Sequence, residues 1–518
     1  MYLTQGLHRV VQQRGSRTAT VFGQRRTTFA VLVDRVSRLA GALGRLGLGP
    51  GDRIGLLALN SDRYVEGLLA AWWLGAVATP LNTRWSAAEI AYALNDCEVR
   101  HLVVDDAFAP MATELKTRAP ALREVIHAGD DAPPEGQLAW EALIESGEPV
   151  EDCRPDGDTL AAILYTGGTT GTPKGVMLSH ANFWVSSVAR MAEVPNPAHG
   201  VALLVAPLFH VAGLGRLISQ IVIGSTSVLL PAFRPESVLR TLQDERVSDV
   251  VLVPSMLQML LDHPAFAETD LRHLDRIIHG ASPISPGLLE RAMKALPHCG
   301  FQSAYGMTET AATVCSNGPF RWNEDDPLGA RQLAAGRVCY GNELKVVDGN
   351  GREVPRNTVG EITLRGANVM LGYWNKPQET RAALRGGWLR TGDAGFMDTA
   401  GYVHIVDRVK DMIISGGENV YCAEVEAVLS RHPSVAACAV IGVPSREWGE
   451  AVHAVVVLRA GEAATEDELR SHCRGNLAGY KCPKTIEFRQ ALPLSPAGKV
   501  LKTVLREPFW GGQARQVN

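Results

Sequence analysis

The 518-residue chain is poor in several features that mark common protein classes. Its nine cysteines are scattered, with no Cys-x-x-Cys pair. That excludes the spacing of a zinc ribbon or dithiol redox centre and predicts reduced, mostly buried thiols. The histidines show no metal-ligand spacing. The longest nearly unbroken apolar stretch, Gly67 to Pro80, is too short to cross a bilayer and reads as a buried helix. The start, Met1-Tyr2-Leu3-Thr4-Gln5-Gly6, lacks a basic segment followed by an apolar one, so no secretory signal is expected. Charge of one sign is also missing: the formal net charge is −4, with acids and bases interspersed. Neither a nucleic-acid surface nor a polybasic membrane arm is expected, and a charged substrate must be held by a local site. A cytoplasmic globular protein is the expectation, with homodimer formation left open.

What is present is periodicity. Phe29 to Leu46 shows helical apolar spacing and ends in the Gly-Leu-Gly-Pro-Gly punctuation at 47–51. Asp52 to Leu57 reads as a strand, followed by an apolar helix after Asp62. From about 160 to 310, short apolar strands alternate with helical patterns. Strands are expected at Ala161–Tyr165, Ala202–Ala206, Ser227–Leu230, Val250–Val253 and Arg276–His279. That rhythm predicts an α/β fold of parallel sheets covered by helices, with ligands gathered at the carboxyl ends of strands. Residues 343–374 are Gly-rich and strand-like and suggest a β subdomain. A small α+β unit follows, with a helix at Ala423–Arg431, apolar runs at Val435–Val443 and Val452–Leu458, and a polar helix near 466–477. Charged residues at 407–411 separate two apolar runs, which divides the chain into a large unit, 1–408, and a small one, 409–518.

Residues 165–175 read Tyr-Thr-Gly-Gly-Thr-Thr-Gly-Thr-Pro-Lys-Gly. Glycines let backbone N–H groups approach an anion, threonines add hydroxyl donors, and Lys174 adds a positive charge. The composition suits a polyphosphate. It is not a Walker A loop, because Gly175, not Ser or Thr, follows Lys174. Further motifs lie downstream. They are Tyr305-Gly306-Met307-Thr308-Glu309, Gly360-Glu361-Ile362, Gly372-Tyr373-Trp374-Asn375, Leu389-Arg390-Thr391-Gly392-Asp393, Asp407-Arg408-Val409-Lys410, Ser415-Gly416-Gly417-Glu418-Asn419 and Gly498-Lys499.

Together and in this order these segments resemble the adenylate-forming superfamily of acyl-CoA synthetases, peptide-synthetase adenylation domains and firefly luciferase. The resemblance covers almost the whole chain. It implies ATP, Mg²⁺ and coenzyme A as cosubstrates and cofactor, a small-molecule carboxylic acid as substrate, and transfer through an acyl-adenylate. It places Thr166, Gly167, Gly168, Thr169, Thr170, Gly171 and Lys174 around the polyphosphate. Gly280-Ala281-Ser282 corresponds to the adenine turn, Tyr305 and Gly306 to the base platform, and Thr308 to the α-phosphate contact. Glu309, with Thr166, is implied at Mg²⁺; Asp393 and Arg408 at the ribose; and Lys499 as the cation bridging carboxylate and α-phosphate. His210, in Pro-Leu-Phe-His-Val-Ala-Gly, is implied as a gate of the acyl channel, whose lining would include Val211, Gly213, Leu214, His279, Gly280 and Met307. Lys410 stands at the pivot of a domain rotation that exchanges the Lys499 loop for the Gly416-Gly417 loop, and Arg84, Trp448 and Lys481 are placed near coenzyme A.

The chain departs from the family pattern at Gly167, usually Ser, at Ser303, often Asn or Gln, and at His279, usually a small residue. None of these removes a charge needed for adenylation. The segment after Pro207-Leu208-Phe209 lacks the acidic residue of an amino-acid-activating unit, and the residues around Val211–Leu214 and Met307 are apolar. A hydrophobic fatty or aryl monocarboxylate is therefore expected. A ligase loading a carrier protein and a non-catalytic adenylate-binding relative stay open as alternatives.

Overall fold

The computed structural model describes all residues except 167–172, 195–199, 326–327, 410, 417, 496–497 and 512–518. Two large sheets form the body. One has eight strands, with Leu160–Thr166 and Val77–Pro80 near its centre and Gly372–Tyr373 at one edge. The other has nine strands. Within it Gly300–Tyr305, Arg276–Gly280, Asp249–Leu252, Val201–Leu204, Thr226–Leu229 and Thr18–Phe22 run parallel in that spatial order. The expected parallel rhythm therefore holds in the second sheet, where strand and helix alternate along the chain.

Local signals explain the helices on these sheets. Thr28 caps Phe29–Arg45 by accepting from the Val31 N–H, and Phe29, Leu32, Val36, Leu39, Ala40 and Leu43 form its buried stripe. Ser61 caps Asp62–Trp73 in the same way through Tyr64. The Gly67–Pro80 stretch is not one helix. The helix stops at Trp73, Gly75 turns the chain at φ +71°, and Val77–Pro80 enters the sheet as a buried strand. An unbroken apolar run hides such a change because both elements are buried on every side.

The strands flanking the segment rich in glycine and threonine are neighbours in the eight-stranded sheet. Leu160–Thr166 pairs antiparallel with Lys174–Ser179, and residues 167–172 between them lie outside the described set. Tyr373 then pairs with Val176 of the second strand. The β subdomain is an antiparallel sheet of Asn342–Val347, Gly360–Gly366, Trp388–Met397 and Val403–Arg408, with Leu384–Arg385 at its edge. It thus extends well past residue 374.

After Arg408 a separate core begins. Strands Ile413–Ser415, Glu418–Val420, Val435–Ser445, Gly449–Leu458 and Thr485–Phe488 pack under helices Cys422–Leu429 and Glu466–Arg474. Ile413, Val425, Val440, Val452, Val456 and Leu469 fill the space between them. A capping box of Thr465 and Glu468 starts the second helix. The nine cysteines are all free, seven of them buried, and Cys153 is exposed. No helix among the described residues is long and apolar enough to cross a membrane.

Candidate active site

The strand Gly300–Tyr305 delivers Tyr305 to the carboxyl edge of the nine-stranded sheet. Its continuation must turn sharply, because a Cβ at Gly306 would overlap the Ala312 carbonyl. The short 3₁₀ turn Thr308–Thr310 follows, pinned by the Thr310 hydroxyl to both the N–H and the C=O of Met307. That turn buries Glu309, whose carboxylate accepts from the Tyr373 hydroxyl at 2.8 Å. Lys174 lies over the face of the same tyrosine, 5.2 Å from the ring centre. Tyr373 therefore ties the phosphate-loop cation to the buried carboxylate. It was visible only as part of a motif, with no signal in its own position for this role.

Asp393 sits opposite. Its carboxylate accepts from the Tyr305 hydroxyl at 2.6 Å and pairs with Arg408 Nε at 2.9 Å. Asp393 and Arg408 are directly paired across neighbouring strands, so the sheet register itself creates the contact. Burial and the Asp393 charge hold the Tyr305 phenol far above its ordinary pKa, so it stays a donor.

Lys499 reaches the same place from the small domain. Its loop is closed by the Lys499 N–H donating to Ser495 Oγ at 3.0 Å. Gly498, at φ +75°, lets it press on the large body, where a Cβ would stand 2.9 Å from Ser255 Oγ and from Val253 Cγ2. Burial pulls the Lys499 ammonium below its ordinary pKa, the Arg408 charge pulls further, and Asp393 and Glu309 oppose both. One cation and two carboxylates thus act electrostatically on Lys499. His210 feels Lys499 as well: burial, then the ammonium, push its pKa down to about 4. Its Nδ1 accepts from the Ala212 N–H at 3.2 Å as the cap of the Val211–Ile223 helix. The neutral ring therefore carries its proton on Nε2.

Direct contacts thus join Lys174, Tyr373 and Glu309 in one group and Tyr305, Asp393 and Arg408 in another, and Lys499 lies within electrostatic reach of Glu309, Asp393, Arg408 and His210. Thr166 stands beside the first group, paired with Lys174 and donating to the Lys174 carbonyl at 3.4 Å. Gly280 needs its missing side chain, since a Cβ would meet the Ala304 carbonyl at 2.2 Å. Ala281 adopts the left-handed φ of +65° and Ser282 follows. Gly213 is equally constrained by the Pro207 carbonyl. Gly167, Gly168, Thr169, Thr170, Gly171, Lys410 and Gly417 lie outside the described residues.

Three expected acyl-channel residues are placed elsewhere. Val211 and Leu214 are buried in the main hydrophobic core, on a stripe continued by Ile218 and Ile221. His279 lies two residues after Ile277 on the same strand and so shares its face, which packs against the helices on the other side of the sheet from the Val211–Ile223 helix. Burial alone drives its pKa to about 4. The coenzyme A candidates are dispersed. Arg84 is exposed on the large body, whereas Lys481 is held by Glu424 at 2.7 Å. Gly416 and Trp448 do meet, the Gly416 N–H donating to the Trp448 carbonyl at 2.8 Å. Both are exposed.

Comparison with known proteins agrees with this geometry. The model described as AMP-binding enzyme matches residues 7–374, and that described as AMP-binding enzyme C-terminal domain matches 424–499. A feruloyl-CoA synthase of Amycolatopsis sp is 39% identical, covering 95% of this chain and 96% of that protein. ScoC of Streptomyces coeruleorubidus, a fatty acid–[acyl-carrier-protein] ligase, is 37% identical over 98% of this chain and 96% of its own. The crystal structure of the anthranilate CoA ligase AuaEII with anthranoyl-AMP superposes with a TM-score of 0.91 at 28% identity, covering 98% of this chain and 97% of that one. With both family models matched in order and such relatives across nearly its full length, the chain belongs to the AMP-binding enzyme family of adenylate-forming, AMP-forming acid–thiol ligases.

Proposed function

We propose that this enzyme activates a fatty or aryl carboxylic acid with ATP to acyl-AMP and then transfers the acyl group to coenzyme A, releasing AMP. The observation that carries the reading is Lys499, on a loop whose Gly498 lies against Ser255 and Val253 of the body, within electrostatic reach of Arg408, Asp393, Glu309 and His210. A carboxylate attacks the α-phosphorus of ATP, its oxygen forming the new bond as the bond to pyrophosphate breaks. Negative charge accumulates on phosphorus, pyrophosphate and the incoming oxygen, and a fixed cation there lowers the barrier. Lys499 supplies it at the attacked phosphorus and Lys174 at the departing phosphates. Tyr305 stacks on adenine, and Asp393 binds the ribose.

Mg²⁺ fits the donor set in a limited way. Among the described residues no group of three or more acidic, histidine or cysteine side chains could hold a metal. Mg²⁺ in nucleotide sites needs only one or two carboxylates, with phosphates and water completing its shell. Glu309, oriented by Tyr373, suits that role, with Thr166 alongside. Bound there, Mg²⁺ would neutralise phosphate charge.

For the second step we take residues 1–408 as the body and 409–518 as the moving unit, pivoting at Lys410. With the Lys499 loop against the body, Gly416 is exposed and lies against Trp448. Coenzyme A is favoured as acceptor because several relatives that match this chain over most of its length are named as CoA ligases or synthases. The carrier-protein alternative is favoured by ScoC alone among the relatives compared above. The test is acid-dependent pyrophosphate release from ATP, followed by thioester formation with coenzyme A or with an acyl carrier protein. Pyrophosphate release without a CoA thioester would assign the carrier; no acid-dependent release would refute adenylation.

A further inference from the structure

The strands that carry Thr166 and Lys174 are also held on their other face. In the antiparallel register Tyr165 lies opposite Gly175, and Thr166 opposite Lys174. Successive residues of a strand point to opposite faces, so Tyr165 turns away from the side that Thr166 and Lys174 share. A Cβ at Gly175 would meet Tyr165 Cζ at 3.2 Å and Trp374 Cβ at 3.4 Å. Glycine lets the phenol ring and Trp374 close on the strand next to Lys174.

Asp96, the last residue of the Ala87–Asp96 helix, reaches both of them. Its carboxylate accepts from the Tyr165 hydroxyl at 2.5 Å. Its backbone carbonyl accepts from Trp374 Nε1 at 2.8 Å and from Asn375 Nδ2 at 3.1 Å. Tyr92, one turn earlier on the same helix face, packs edge-on against the Tyr165 ring with centres 6.4 Å apart. The Trp374 N–H donates to the Gly175 carbonyl at 2.7 Å, and Tyr373 just before it makes the contacts to Glu309 and Lys174.

Helix physics alone disfavours an aspartate here. A carboxylate in the last turn meets the negative end of the helix dipole. The Tyr165 donor offsets that repulsion. Burial first, then the neighbouring Cys97 and Asp96, raise the Tyr165 pKa, so the phenol keeps its proton. The Cys97 thiol, pushed up to about 12 chiefly by burial, stands 3.1 Å from the same hydroxyl. With the phenol proton committed to Asp96, the thiol donates to the phenol oxygen. The Asp96 carbonyl is one of the last four of its helix, which have no partner within it, and the two side chains that follow Tyr373 supply the donors.

We propose that Asp96 is a positioning residue for the polyphosphate of ATP, acting through Tyr165 and Trp374 to fix Thr166, Lys174 and Tyr373 on the opposite face. Its carboxylate holds the strand that ends at Thr166. Its carbonyl holds the segment that pairs with the strand beginning at Lys174. The role rests on the adenylation reading above, in which Lys174 meets the departing phosphates.

Binding isolates this role, because AMP lacks the β- and γ-phosphates. Calorimetry gives Kd values for ATP, pyrophosphate and AMP, each with Mg²⁺, in the wild type, Tyr165→Phe, Asp96→Ala and Asp96→Asn. Tyr165→Phe keeps the ring beside Gly175 and removes only the donor. It and Asp96→Ala should weaken ATP and pyrophosphate by roughly 10-fold, the order expected when a ligand-contacting group loses the partner that orients it, and leave AMP unchanged. Asp96→Asn, whose amide oxygen still accepts, should stay near the wild type. Unchanged ATP and pyrophosphate affinity in Tyr165→Phe, or an equal loss for AMP, overturns the positioning role and leaves adenylation standing. So does a loss in Asp96→Asn as large as in Asp96→Ala. Tyr165→Phe decides the matter even if Asp96→Ala fails to fold. A wild type that binds neither ATP nor pyrophosphate defeats the adenylation reading and this role with it.

Discussion

Tyr305 donates to Asp393 across 2.6 Å, and this one hydrogen bond joins the edge of the nine-stranded sheet to the β subdomain. Arg408, the last residue before the small domain's core, closes on the same carboxylate at 2.9 Å. The carboxylate proposed for the ribose is therefore held by two donors at once, one from each side of this junction.

Asp393→Asn should keep the shape of this junction and remove its charge. A hydrogen bond to a charged group contributes about 1.5–3 kcal/mol, so the KM for ATP should rise roughly 10- to 100-fold. Initial rates with ATP varied at saturating acid measure this. An unchanged KM would remove Asp393 from the nucleotide site.

Lys499→Ala should slow acyl-AMP formation by ~10²–10³, roughly 3–4 kcal/mol, while thioester formation from supplied acyl-AMP largely survives. The wild type should also show an alkaline limb. Lysine is charged only below its pKa, and that of Lys499 is lowered, first by burial and then by Arg408. Adenylation should therefore fall at a lower pH than an ordinary lysine would allow. In Lys499→Arg any residual activity should lose that limb, because a guanidinium stays charged there. A pH–rate profile of pyrophosphate release separates the two; the same limb in both proteins would assign it to another group.

Much of this site was legible because its residues lie in contiguous motifs. Lys174, Glu309, Asp393 and Lys499 each stand in a segment whose spacing is local. What was not legible depends on faces. Val211 and Leu214 look like channel residues by proximity to His210, but the 3.6-residue period turns them into the core. Arg216 and Asp249 are far apart in sequence, and only the packing of helix on sheet brings them into a buried ion pair. The strand Lys174–Ser179 went unread for a similar reason: its first residues belong to the phosphate motif, and a motif conceals the period-2 pattern beneath it.

Tyr373→Phe tests the link between the two halves of the phosphate site. The substitution removes the donor to Glu309 and keeps the ring beneath Lys174. The Mg²⁺ concentration giving half-maximal rate should rise, with little change in the KM for acid. Tyr373→Leu, which also removes the aromatic face, should in addition weaken ATP binding by about 0.5–2 kcal/mol. Titration of activity with Mg²⁺ and with ATP in each variant checks both effects, and identical behaviour of the two variants would dismiss the ring contact.

Two glycines should separate the half-reactions. Gly498 is left-handed at φ +75° and lies against Ser255 and Val253 of the body, so Gly498→Val adds both backbone strain and a clash only when the Lys499 loop is docked. The left-handed conformation alone costs a β-branched residue about 1–2 kcal/mol. Gly416 is also left-handed, at φ +62°, and a Cβ there would stand 2.9 Å from the Trp448 ring. Gly498→Val should therefore depress acyl-AMP formation and spare thioester formation from supplied acyl-AMP. Gly416→Val should do the reverse. Rapid-quench measurement of each half-reaction, with melting temperatures to confirm folding, gives the comparison. Equal loss of both half-reactions in both folded variants would show that the two loops do not take turns at one site.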